Sequence, residues 1–131
     1  MSELSRGVRG TRELLVTNEN TAKALGSGGL DVFSTPSMIA LMEYCAAESV
    51  FSLLPAGSST VGTRIDIKHL SATPVGMTVR CETELIEIDR RRLVFLGRAY
   101  DEAGLIGEGT QERCIVNNAK FMEKTQEKLA K

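Results

Sequence analysis

At 131 residues, with 42% hydrophobic and 25% charged side chains and a formal net charge of −1, the chain is sized for one globular domain that buries a core without disulfides or metals. The near-neutral balance carries no electrostatic footprint for nucleic acid or for a membrane surface. Cys45, Cys81 and Cys114 are dispersed, odd in number and form no CxxC pair, which reads as reduced core thiols of a cytoplasmic protein. The opening MSELSRGVRG has no apolar h-region, so no signal peptide is expected. The apolar run within residues 38–47 is broken by Glu43 and is too short to span a bilayer.

In chain order, TRELLVT (11–17) reads as a strand. Residues 18–33 contain GSGG and no periodicity, and read as a mobile loop or lid. A long apolar helix follows, with Thr35 as N-cap, Pro36 at its first position and an end near Leu54, before Pro55 and Gly57. The period then changes to two. STVGTRIDIKHLS puts Val61, Thr63, Ile65, Ile67 and His69 on one face, and Gly62, Arg64, Asp66 and Lys68 on the other. MTVRCETELIEI, LVFLGRAY and LIGEGTQERCIV are three further strands, turned at DRRR and DEAG. NNAKFMEKTQEKLAK (117–131) reads as a short charged helix. Four strands in succession form an antiparallel meander whose dry face only the apolar helix can cover, an α+β arrangement. So small a sheet leaves an edge strand open to a second copy.

Glu43 is the anomaly. Its same-face neighbours at helical spacing are Ile39, Ala46, Ala47 and Val50, whereas Glu48 lies on the wetter side with Ser37, Tyr44 and Ser52. A carboxylate on the dry side either escapes to solvent or a loop N–H, or it serves chemistry. His69, the one histidine, is in phase with apolar residues of its strand. It is either a satisfied structural residue or, where it meets Glu43 between the layers, half of a general acid/base pair. Thr35 caps the helix, close to a site that favours developing negative charge. Gly62 weakens its strand unless something approaches the backbone there. Gly107 and Gly109 suggest a bulge or bend. The sequence contains no GxGxxG, P-loop, GxSxG or HExxH motif, and one histidine with scattered cysteines argues against a metal site. RRR at 90–92 is a solvated turn or a contact for ligand phosphates.

VFSTPSMIALMEYCAAESV, TVGTRIDIKHLSATPVGMTV and GLIGEGTQERCIV together resemble the hotdog-fold thioesterases, within them the fluoroacetyl-CoA thioesterase-like group, over nearly the whole chain. The resemblance implies a single hotdog domain over 1–131, an antiparallel sheet wrapped around a central helix. It also implies a homodimer, with pairing of two dimers left open, and acyl-CoA sites at the dimer interface. It implies hydrolysis of an acyl-CoA thioester at a Thr/Glu/His site that falls on Thr35, Glu43 and His69. Gly62 would lie against the acyl group. Phe33, Gly29 and Arg64 are further candidate substrate contacts. No cofactor is implied, CoA being part of the substrate, and neither nucleic acid nor membrane is a partner. The fluoroacetyl-specific pattern has a bulky aromatic side chain in the lid where this chain has Gly29, so a different, larger acyl group is expected. A non-catalytic acyl-CoA-binding module and a hotdog hydratase or dehydratase are the alternatives. The first would not need Glu43 and His69 together, and the second pairs His with Asp in another arrangement.

Overall fold

The computed structural model describes residues 3–130. Five strands form one antiparallel sheet: β1 (Arg9–Leu15), β2 (Ser58–His69), β3 (Thr78–Asp89), β4 (Arg92–Asp101) and β5 (Gly104–Asn117), in the spatial order β1-β3-β4-β5-β2. Helices are α1 (Ala22–Leu25), α2 (Thr35–Phe51) and α3 (Asn118–Gln126), with a 3-10 turn at Glu127–Ala130. Lys131, the last residue of the expected C-terminal helix, lies outside the described residues. The meander β3-β4-β5 is closed by two tight turns, at Arg90–Arg91 and at Glu102–Ala103. Arg90 takes the positive φ of 60° that closes the first.

Helix α2 lies along the inner face. Met38, Leu41, Met42, Cys45, Ala46 and Val50 are its buried residues, at the spacing of one helical stripe. Met38 and Met42 pack with Phe33, Val79, Cys81, Ala99 and Ile106; further along, Ala46 and Val50 pack with Leu85, Leu93 and Phe95. Each large side chain so buried contributes about 1.5–3 kcal/mol, which is why the helix sits in the sheet's concavity. The cysteines are free, with Cys45 and Cys81 buried. No helix among the described residues is long and apolar enough to cross a membrane.

Three expectations change. First, the helix is capped by Ser34, whose Oγ accepts from the Ser37 N–H at 3.1 Å. Thr35 is therefore the first helical residue and its hydroxyl is released from capping. The helix also ends at Phe51, three residues early, and β1 begins and ends two residues before the expected 11–17. Second, residues 18–33 are hydrogen-bonded rather than structureless. Thr21 caps α1, Gly26 closes it at φ 71°, and Ala22 N–H to Val32 O (2.8 Å) and Phe33 N–H to Thr73 O (2.9 Å) tie the segment to itself and to the sheet's end. Third, Gly107 borders a bulge, Ile106 being the extra residue of β5 between the pairs Ala99–Gly107 and Tyr100–Leu105, whereas Gly109 lies in regular register with both neighbouring strands. The two glycines pair with His69 and Ile67 of β2, and a Cβ on Gly109 would lie 2.1 Å from Asp66 O. Their missing side chains let β2 and Met38 approach closely.

A bulge on β2 sets which of its residues face the helix. Gly62 pairs with Arg113 and Arg64 with Glu112, so Thr63 is the extra residue. An uninterrupted strand would put Gly62 and His69, seven residues apart, on opposite faces. The extra residue reverses the phase, so that Gly62 and His69 both face the helix. Arg64 correspondingly turns outward. It joins Glu112, which Arg92 also holds at 2.6 Å while reaching Glu87, in a ladder of charges across the outer face.

Candidate active site

The released hydroxyl of Thr35 is 2.7 Å from His69 Nδ1. The contact joins the start of α2 to the last residue of β2, which Gly107 and the bulge together bring over the helix terminus. Burial pushes the His69 pKa below the ordinary 6.5, and the backbone of Ser71 opposes that shift only in part, so the ring is neutral at pH 7. Its other nitrogen, Nε2, is buried without a hydrogen-bond partner among the described residues. A cleft of about 280 Å³ opens beside the pair, lined by Ala22, Ser27 and Val32 of the 18–33 segment and by Phe33, Leu70 and Ala72.

Glu43 is elsewhere. Its Oε2 is 3.3 Å from Arg113 Nη1, and its side chain is 37% exposed. Arg113 is 6% exposed. Its Nε donates to Thr60 Oγ1 (2.9 Å), its Nη2 to Thr60 O (3.1 Å) and its Nη1 also to Gln111 Oε1 (3.4 Å). Burial pulls the Arg113 pKa down and the Glu43 charge pushes it back up. Gly62 completes this second cluster: a Cβ there would stand 2.4 Å from Glu43 Oε2.

Thr35 and His69 are thus brought together, Glu43 and Gly62 are brought together, and no hydrogen bond joins Glu43 to His69 within the described chain. The two helix residues are eight positions apart, about 12 Å along the axis. Phe33 is buried at 1% exposure and floors the cleft from the core side. Gly29 is exposed and does not line the cleft, whereas Ser27 of the same segment does. Arg64 faces away from both clusters: it alternates with Ile65, Ile67 and His69, and the bulge at Thr63 takes it out of phase with Gly62. Arg113 is not singled out by any motif among the scattered arginines. Its signal was its phase: with Gly107, Gly109 and Gln111 it occupies alternate, inward positions of β5.

Residues 16–119 match the fluoroacetyl-CoA-specific thioesterase family. The fluoroacetyl-CoA thioesterase of Streptantibioticus cattleyicolor is 37% identical over 98 residues, 75% of this chain and 70% of that protein. A solved fluoroacetyl-CoA thioesterase superposes with a TM-score of 0.91 at 32% identity, covering 97% of this chain and 98% of the other. A thioesterase superfamily member from Thermus thermophilus gives 0.87 at 27% identity, with 100% of each chain covered. A hot-dog-like protein from Thermanaerovibrio acidaminovorans, 23% identical and covering 94% and 91%, shares the fold at 0.86. The sheet wrapped on α2 is the hotdog fold, and the chain belongs to the fluoroacetyl-CoA-specific thioesterase family, hydrolases of acyl-CoA thioesters.

Proposed function

We propose that the protein hydrolyses the thioester of a small or medium acyl-CoA, using Thr35, His69 and Glu43, in a site completed by a second copy of the chain. The observation that carries the Thr/His half is the 2.7 Å contact between a hydroxyl freed from capping and a neutral imidazole. Orphaned buried N–H groups are rarer than orphaned acceptors, so the ring proton belongs on Nδ1 and the unpartnered Nε2 carries the lone pair. His69 then donates to Thr35 Oγ, and the Thr35 hydroxyl proton is free to be donated in turn to the thioester oxygen as negative charge develops there. Glu43 supplies what this donor chain lacks. Its carboxylate takes a proton from the attacking water, or attacks the carbonyl carbon itself and is released by water in a second step. In both routes the C–S bond breaks, CoA leaves as the thiol and the acyl group as the acid. A Thr→Ser variant of the related fluoroacetyl-CoA thioesterase has been solved with acetyl-CoA, which supports an acyl-CoA ligand.

The need for a second copy comes from distance. Glu43 sits at Gly62 and Thr35 at His69, roughly 20 Å apart along β2 at the usual rise per residue. Reacting groups must come within about 3–3.5 Å of one carbon. Among the described residues β2 is an edge strand, paired only with β5. Antiparallel pairing of β2 with its own copy about a two-fold axis between Ile65 and Asp66 sets Gly62 of each against His69 of the other. That arrangement unites Glu43 of one copy with Thr35 and His69 of its partner, twice per dimer.

The test follows free thiol release across a panel of acyl-CoAs with wild type, Glu43→Gln, His69→Ala and a co-refolded mixture of the two variants. Each variant alone should lose turnover by about 10²–10⁴-fold. The mixture should recover up to roughly a quarter of wild-type activity, because half of randomly paired dimers carry one intact site. No recovery would place the site within one chain. No turnover by wild type, with acyl-CoA still bound, would make the protein a binding module.

A further inference from the structure

Arg113 takes no part in the reaction steps, yet it is the most completely enclosed charge among the described residues that touch the site. A buried guanidinium is tolerated only when its donors are satisfied and its charge is opposed. Here Thr60 holds the Nε and Nη2 side through both a hydroxyl and a carbonyl, and Gln111 meets Nη1. Gln111, itself 2% exposed, is anchored in turn to the Met42 carbonyl of α2 at 3.0 Å. The carboxylate within reach is that of Glu43, and it is bound through Oε2 alone. Among the described residues Oε1 has no hydrogen-bond partner, so the guanidinium engages one oxygen of the carboxylate and leaves the other unengaged. Gly62 removes the Cβ that would otherwise occupy this space.

We propose that Arg113 is a positioning residue for the reaction: braced by Thr60 and Gln111, it clamps one oxygen of Glu43 so that the other is aimed at the thioester, and Gly62 is required to make room for the clamp. This rests on the reading of Glu43 as the reacting carboxylate. It differs from a purely structural role in one respect: the effect must travel through Glu43.

The experiment measures kcat and KM on the best acyl-CoA for wild type, Arg113→Gln, Arg113→Lys, Thr60→Val and Glu43→Gln. It then adds Arg113→Gln and Thr60→Val to the Glu43→Gln background, with single-turnover assays at high enzyme concentration. A misplaced reacting group costs on the order of 10² in rate. Arg113→Gln should lower kcat by about that factor with KM nearly unchanged, Arg113→Lys should recover part of it, and Thr60→Val should cost less. In the Glu43→Gln background neither substitution should lower kcat further. Full additivity there, or a rise in KM without a fall in kcat, overturns the positioning role while leaving the thioesterase reading intact. If Arg113→Gln does not fold, Arg113→Lys and Thr60→Val decide by the same criterion. An inactive wild type rejects the thioesterase reading, and the positioning role with it.

Discussion

The two ends of the α2–β2 contact solve the same problem in opposite ways. At the Thr35–His69 end a polar pair is kept uncharged, half out of water, with the ring neutral by burial and the hydroxyl freed by its neighbour's cap. At the Glu43–Gly62 end a partly exposed carboxylate is paired with a more deeply buried guanidinium. Neutral groups need only hydrogen bonds to survive between layers; a carboxylate needs a cation as well. The division suits hydrolysis, which requires a donor for the developing oxyanion and a base or nucleophile for attack. It also places the two clusters roughly 20 Å apart along β2, which is the ground for proposing a site shared by two copies.

Substitutions at the two ends should separate accordingly. Beyond Glu43→Gln and His69→Ala, the largest effect is expected at the neutral end. In the proposed mechanism Thr35→Ala removes the donor to the thioester oxygen and should lower kcat by about 10²–10³-fold, with Thr35→Ser much milder because the hydroxyl survives. Equal losses for the two variants in steady-state assays would deny the hydroxyl its role. Next comes Gly62→Ala, whose Cβ displaces Glu43 Oε2. A fall in kcat of about 10²-fold is expected with little change in Tm. Gly109→Ala is the control for the opposite behaviour. Its Cβ meets the backbone of Asp66, and overpacking there should cost about 1–3 kcal/mol of stability.

The smallest effect is a slope. Burial holds His69 below 6.5, so the folded chain binds that proton more weakly than the unfolded chain. The stabilising share of the neutral ring is whole above 6.5 and is lost as pH falls through the lower folded value. Melting curves between about pH 7 and pH 5 should therefore fall more steeply for wild type than for His69→Gln. Parallel slopes would mean that the ring is not neutral by burial.

Much of this was legible in the chain itself. Periodicity alone located the helix and the four long strands, because a helical stripe and an alternating strand each record which face is dry. Resemblance added the spacing of Thr35, Glu43 and His69. What stayed hidden was every feature decided between residues far apart in sequence. Ser34 and Thr35 are equally good caps on paper, and only the approach of His69, 34 residues on, decides which hydroxyl is free. The phase of β2 cannot be read through Gly62-Thr63-Arg64, since a bulge is set by the partner strand and not by the bulged one. Arg113 is one of many scattered arginines in the sequence, and only the fold brings to it Glu43, 70 residues earlier. Local patterning therefore determined the long elements and, apart from β2 before its bulge, their dry faces, for a physical reason: burial is periodic. Tertiary structure alone decided which polar groups meet, because a hydrogen bond or an ion pair depends on a partner that the local sequence does not contain.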